Sequence, residues 1–536
     1  MVPEKALPAL FPDRMWAGMK KFPPKPLPLR RSELLSRTAA LAIFVASATG
    51  CDDDDDDRGT PPRDAAGDLR DATADAPRSD GGAPDLVDAR PVDAADGAAD
   101  TGSIAASRPE TRAFSPTLAQ QLRTPAGFAA RVFASGLGNP RFLAVDTDGS
   151  VYVTLRAQSQ VLRLRDTDND GDASEPGERT VVASAMTTPA LEGVHGITIA
   201  GGRMYLASVK AVVSAPLSGG QLGAFTTLVS DLPDGGQHPN RTLAVGPDGK
   251  LYVTVGSSCN ACGETNPEHA TVLRLNLDGT AATNPANPAH PMLARNPMSR
   301  MSPRVFASGL RNTLGFDWHP TTGELWGSDH GSDGLGNDLP PDEINRIEAG
   351  KSYGWPFCWG ARQIDPIIEE PSMMTTKAQY CPTTAPVLAE YPAHSAPIGF
   401  LFYRGGQFPA AYNGDAFVAF RGSWNRDVPT GYKVVRVNFE NGVPAAIPGQ
   451  SSPIEDFLTG FLIENGRAHF GRLAGLAVDA TGALLVAEDT NGVIYRVTHG
   501  SDGGDGGVGD AGVVDAASDA PADAAADAGA DAAGGG

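Results

Sequence analysis

The chain has 536 residues and a formal net charge of −21, with 41% hydrophobic and 20% charged residues. The acidity is concentrated in two Asp/Ala-rich tracts, 52–103 at −11 and 501–536 at −8, which leaves 104–500 at −7 without a basic stripe. That balance excludes an electrostatically steered nucleic-acid partner, and a central region of about 400 residues requires either two domains or a repeat architecture.

Residues 1–51 read as an export signal. Lys20, Lys21, Lys25, Arg30, Arg31 and Arg37 precede an apolar run, 38–50, that ends in small residues before Cys51. A run of about 13 residues is too short to span a bilayer. A charged region, an apolar region and a small-residue site instead describe a signal peptide, here with a lipoprotein-like cysteine. The expected product is exported, a periplasmic or cell-surface lipoprotein that meets the membrane through its lipid anchor only. Residues 52–110 and 500–536 cannot bury enough apolar surface to offset chain entropy and read as disordered. Apart from Cys51, the cysteines Cys259, Cys262, Cys358 and Cys381 form an even set in an exported chain. Of three possible pairings, Cys259–Cys262 with Cys358–Cys381 is expected. The Cys259-Asn-Ala-Cys262 spacing also fits half a zinc site, but Gly263 stands where a haem motif needs His.

Residues 111–499 carry an internal repeat. A short apolar strand, a Gly turn and a second apolar strand recur at 142–153, 196–206, 242–253, 314–326, 412–420 and 474–486. The turn glycines are 149, 202, 249, 323, 414 and 482. Asp-Gly and Thr-Gly turns between alternating runs specify hairpins rather than helices. Units 47–91 residues apart suit propeller blades, because a closed ring leaves no long open sheet edge. The expected fold is all-β, a six-bladed β-propeller, with loops inserted between 249 and 323 and between 323 and 414.

An acidic loop stands apart from this pattern. Asp166, Asp168, Asp170 and Asp172 alternate around a Gly turn, a spacing that wraps a hard cation. Position 12 of the loop is Gly177 rather than Glu, so the expectation is a structural surface Ca²⁺ site and not an EF-hand.

The inserted region and its surroundings hold polar segments that loops do not need for folding: Gly236-Gln-His-Pro-Asn-Arg241, Gly309-Leu-Arg-Asn312, Ser328-Asp-His-Gly-Ser332, Asp342-Glu-Ile-Asn345, Tyr353-Gly-Trp-Pro356, Phe420-Arg-Gly-Ser-Trp424 and Phe470-Gly-Arg472. Three place Arg at matching points of the repeat. Converging guanidinium groups call for a polyanionic ligand, since buried unpaired charge is costly and Arg pairs with carboxylates through two bonds. His195 precedes the second repeat and either lines the channel or is a hydrogen-bonded core residue; His319 sits in a hairpin turn and reads as structural.

These segments resemble the soluble quinoprotein sugar dehydrogenases, the glucose/sorbosone dehydrogenase family, and within it the pyranose/sorbosone dehydrogenase-like branch. The resemblance covers roughly 115–498 and is most specific at His238–Cys262, Gly309–Asn312, Asp342–Asn345 and Tyr353–Pro356. It implies a propeller holding pyrroloquinoline quinone (PQQ) and Ca²⁺, and an oxidoreductase that oxidises a sugar, polyol or aldehyde hydrate and passes electrons to an external acceptor. By the same resemblance, His238 is the general base that accompanies hydride transfer. Arg311 and Asn312 touch the quinone oxygens, with Arg311 stabilising developing negative charge. Arg421 and Arg472 bind the cofactor's carboxylates. His330 aligns with the segment beside the cofactor, where Gly331 and Ser332 provide main-chain oxygens to Ca²⁺, and Asp342 aligns with a nearby acidic residue. The chain departs from the family at His330 (Gln there), Ser332 (Pro there), Ala474 (a second Arg there) and Gln237 (an acidic residue in some members). The rival expectations are a Ca²⁺-dependent lactonase-like propeller and a non-catalytic glycan- or protein-binding propeller.

Overall fold

The computed structural model describes residues 108–233, 236–284, 302–371 and 375–500, all within one compact unit. Cys51, the signal segment, most of the acidic linker and the acidic tail lie outside the described residues. The first described strand, Glu110–Thr111, pairs in parallel with Ala468–His469, so the last residue assigned to the linker already sits in a sheet.

The described residues are almost entirely strand and turn; the helices are single turns such as Pro116–Ala119 and Lys377–Tyr380. Five four-stranded sheets and one five-stranded sheet follow one another along the chain. Their first two strands are Pro140–Val145 with Val151–Leu155, Gly196–Ala200 with Arg203–Ala207, Leu243–Val245 with Leu251–Val255, Phe316–Trp318 with Leu325–Asp329, Pro397–Phe402 with Ala416–Phe420, and Leu473–Val478 with Leu484–Glu488. The six turn glycines named above all have positive φ, between 68° and 94°, where a Cβ would be strained. The second strands VYVTL, LYVTV, LWGSD, AFVAF and LLVAE are buried at every residue. A strand covered on both faces carries no polar alternation, which is why these segments read as continuous apolar runs.

The first strands of successive sheets touch backbone to backbone. Gly196 lies against Arg241 and Thr242, Gly315 against Ile398 and Phe400, Gly399 against Ala474 and Leu476, and Gly475 against Arg141 and Phe142; a Cβ on Gly475 would sit 2.4 Å from the Arg141 carbonyl oxygen. The remaining neighbours are joined by hydroxyl bridges, Thr154 Oγ1 to His195 O at 2.7 Å and Thr242 Oγ1 to Leu314 O at 2.6 Å. The last sheet takes its fourth strand from the other end of the chain: Phe128–Ala134 pairs antiparallel with Val493–His499, Phe128 opposite His499. Both cysteine pairings expected from the sequence are present, Cys259–Cys262 and Cys358–Cys381.

Candidate active site

In an antiparallel pair, the start of the first strand and the end of the second meet at the same end of the sheet. His238, Arg311, Asn312 and Arg472 precede first strands, and Ser257, His330, Arg421 and Asp489 follow second strands. The topology therefore delivers all of them to one end. There a solvent-open pocket of about 590 Å³ is lined by His238, Arg311, Asn312, His330, Gly331 and Arg421, with Arg472, Asp333, Asp342, His394 and Trp424 completing its wall.

His238 is buried. Its Nδ1 lies 2.8 Å from Ser257 Oγ and 3.2 Å from Ser257 O. The single hydroxyl proton of Ser257 goes to Cys259 O at 2.7 Å, so both Ser257 oxygens act as acceptors toward the ring. Nδ1 therefore carries the proton and Nε2 carries the lone pair. Burial first, then the charges of Arg311 and His330, holds this imidazole well below its ordinary pKa of 6.5. It is neutral and basic at Nε2 through the physiological range.

Arg311 and Asn312 hang on Asp329. The two carboxylate oxygens of this buried residue accept the backbone N–H groups of Arg311 and Asn312, each at 2.8 Å, and Oδ1 also accepts the Thr313 hydroxyl. Burial pushes Asp329 up to about 6 against the pull of those donors. The Arg311 guanidinium donates from Nε to Asn260 O at 2.9 Å and from Nη2 to Asn260 Oδ1 at 2.8 Å, and reaches Asp333 at 3.2 Å. Asn312 Nδ2 donates to His330 Nδ1 at 3.3 Å, and Asn312 Oδ1 is buried without a hydrogen-bond partner. His330 Nε2 in turn donates to Pro397 O at 2.8 Å.

Arg421 and Arg141 both pair with the buried Asp489, and Arg472 Nη2 donates to Gly422 O at 3.0 Å. Burial opposes ionisation of Asp489, but the two guanidinium groups prevail and keep its pKa below the ordinary carboxylate value. Glu488 beside it is pushed up to about 7 by burial and by the Asp489 charge.

Several other residues singled out by the sequence lie outside this pocket. Ser332 lines a neighbouring cavity rather than the main pocket, and the Gly331 amide donates to Asp342 Oδ1 at 2.9 Å. His195 is fully buried, accepting from Arg141 Nε at 3.1 Å and donating to Arg241 O at 3.1 Å, which makes it a core residue. His319 Nδ1 accepts from the Thr321 and Thr322 amides and closes its own turn. In the acidic loop the carboxylates that come together are Asp166, Asp168 and Glu178. Asp170 Oδ1 is instead taken by the Asp172 amide at 2.8 Å, and Glu178, one residue beyond the position expected for a loop ligand, replaces the pair. Sequence reasoning gave no site role to Ser257, Asn260, Asp333, His394 or Asp489; Ser257 and Asn260 fall in the His238–Cys262 run, and the other three in no recognisable motif.

Residues 122–500, which contain every residue of this pocket, match the model of the TrAA12-like family. The chain belongs to that family. A pyrroloquinoline quinone-dependent sugar dehydrogenase from Hypocrea jecorina (strain QM6a) is 24% identical over 421 residues, spanning 71% of this chain and 90% of that protein. A calcium structure of Trichoderma reesei carbohydrate-active enzymes family AA12 superposes with a TM-score of 0.57 at 21% identity, over 74% of this chain and 99% of that one. The holo form of the pyranose dehydrogenase PQQ domain from Coprinopsis cinerea gives 0.54 at 20% identity, over 73% and 98%. These likenesses show a shared fold.

In this TrAA12-like chain the pocket lining holds a third histidine beside His238 and His330. His394 Nδ1 lies 3.3 Å from Asp333 Oδ1 and Nε2 donates to Gly336 O at 2.9 Å. Burial works against its charge, but Asp333 outweighs burial and raises its pKa above 6.5. A histidine with a raised folded-state pKa adds stability that is complete below the unfolded value and fades as pH rises through the folded one. His394→Gln therefore narrows its stability deficit relative to wild type as pH rises, a trend that urea unfolding at about pH 5.5 and about pH 9 measures directly. A deficit that stays constant across that range contradicts the charged pairing.

Proposed function

We propose that this protein is a PQQ-dependent sugar oxidoreductase built on a six-bladed β-propeller, with the pocket described above as its active site. The closed cycle of first-strand contacts and the shared strand of the last sheet support the ring. The observation that carries the function is the meeting of one neutral, Nε2-basic histidine with three arginines in a single pocket.

The residues present fit a planar polycarboxylate. Arg311, Arg421 and Arg472 bring three guanidinium groups to one pocket, and Trp424 adds an aromatic face to its lining. The unpartnered Asn312 Oδ1 requires a donor, which a sugar hydroxyl supplies. Arg421 and Arg472 would hold carboxylates, and Arg311 with Asn312 would face the quinone oxygens. The main-chain oxygen of Gly331 would supply a calcium donor, in a segment packed tightly enough that a Cβ on Gly331 would sit 2.7 Å from Pro340 O.

When bound, PQQ supplies an acceptor for two electrons and a proton. His238 Nε2 takes the proton of a sugar hydroxyl as its C–H bond breaks, and the resulting imidazolium keeps its Nδ1–H on Ser257. Arg311, aimed by Asn260 and Asp333, keeps a fixed positive charge beside the reacting centre. An exported lipoprotein, passing electrons to an external acceptor, is the cellular setting we propose. A metal-dependent lactone hydrolase is disfavoured because the pocket carboxylates are committed: Asp333 to Arg311 and His394, Asp342 to the amides of Gly331 and Ala396.

Incubating the purified chain with PQQ and Ca²⁺ tests the proposal, with dye reduction followed on a panel of aldoses and gluconolactone hydrolysis run in parallel. Sugar-dependent dye reduction that needs PQQ is the expected result. Lactone hydrolysis without dye reduction, or neither activity, refutes it.

A further inference from the structure

One short segment touches both ends of the site. Ser257 fixes the His238 tautomer through its Oγ, and its own hydroxyl is fixed by Cys259 O. Three residues on, Asn260 gives its backbone O and its side-chain Oδ1 to the Arg311 guanidinium. The Ser257 amide donates to Arg311 O at 2.8 Å, tying the segment to the Arg311 backbone as well. Asn260 is held in turn: its Nδ2 donates to Asp333 O at 2.8 Å, its Oδ1 accepts the Asp333 amide at 2.7 Å, and Trp355 Nε1 donates to its O at 3.3 Å. The Cys259–Cys262 disulfide closes the backbone around this residue. Cys259 and Cys262 are half-buried, whereas Cys358 and Cys381 are buried.

We infer that Ser257–Cys262 is a redox-sensitive brace whose disulfide holds the positioning residues Ser257 and Asn260, and through them the protonation geometry of His238 and the aim of Arg311. The inference deepens the proposed function and rests on it for its kinetic consequences, but its geometric content stands in the protein without cofactor. Opening the brace takes two electrons and two protons: dithiothreitol converts the S–S bond to two thiols and leaves as its cyclic disulfide. The freed turn regains backbone freedom, and the acceptors on Cys259 and Asn260 lose their fixed positions. A catalytic group displaced by about 1 Å loses on the order of 10²-fold in rate.

The test uses the full chain. Mild dithiothreitol followed by iodoacetamide and peptide mapping should label Cys259 and Cys262 while Cys358 and Cys381 stay bridged. In the cofactor-free protein, the histidine ¹⁵N spectrum should show His238 as a single Nδ1-protonated tautomer. The reduced protein, the double variant Cys259→Ser/Cys262→Ser and Ser257→Ala should each show a tautomer mixture, and Ser257→Thr should restore the single form. With PQQ and Ca²⁺ added, reduction should lower kcat on the order of 10²-fold at a nearly unchanged KM, and reoxidation should restore it. An unchanged tautomer in the reduced protein overturns the brace, whether or not any variant folds poorly. Failure of the oxidised wild type to reduce dye overturns the functional reading instead, and leaves the spectrum to decide the brace.

Discussion

His238→Ala abolishes sugar-dependent dye reduction while leaving the affinity for PQQ close to wild type. Loss of a positioned general base costs about 10²–10⁴ in rate, and here no neighbour can substitute. His330 is held between Asn312 and Pro397 O, and His394 is held between Asp333 and Gly336 O. The pH profile of the wild type carries the same information. Because burial and Arg311 depress the His238 pKa, the protonated fraction is negligible through the ordinary imidazole range, and activity falls only at pH well below 6.5. A rate that halves near 6.5, or a His238→Ala enzyme that still turns over, removes His238 from the mechanism.

Asp489→Ala has the largest expected effect on stability. Its carboxylate pairs at once with Arg141 and Arg421, and all three residues are buried. Removing it leaves two buried guanidinium groups facing one another, and breaking a buried pair in this way costs about 3–5 kcal/mol. Urea unfolding of the cofactor-free protein measures the loss. A polycarboxylate bound between Arg421 and Arg472 supplies replacement negative charge, so PQQ should recover more stability in Asp489→Ala than it adds to wild type. A variant as stable as wild type would mean that Asp489 does not hold these arginines. A variant that PQQ fails to rescue would mean that the arginines do not face the cofactor.

Much of the architecture was legible because its signals are local. Asp-Gly and Thr-Gly turns at 149, 249 and 482 demand positive φ, and the apolar runs beside them have the length of buried strands. The weak repeat at 412–420 was read one strand late: the hairpin begins at Pro397, where the Ile398-Gly399-Phe400 run lacks a following Asp-Gly turn and so gave no period. The glycines at 196, 315 and 475 lie in the repeat and Gly399 before its fifth copy, but their reason, backbone contact with the next sheet, exists only once the sheets are packed. His238, Arg311, Asn312, Arg421 and Arg472 stood out as charged or polar residues beside hairpins. Their supports did not. Ser257, Asn260, Asp333 and Asp489 are ordinary loop residues whose importance comes from partners at least 19 positions away. Gln237 stands where some members of the resembled family carry an acidic residue, and the ring of His238 is held by a serine from the end of the following hairpin.

The most direct measurement is a crystal structure of the chain grown with PQQ and Ca²⁺. The account predicts one quinone in the pocket, its carboxylates on Arg421 and Arg472, its quinone oxygens toward Arg311 and Asn312, and His238 Nε2 facing the space left for a sugar. A quinone bound outside this pocket, or a pocket that stays empty at saturating PQQ, would contradict it.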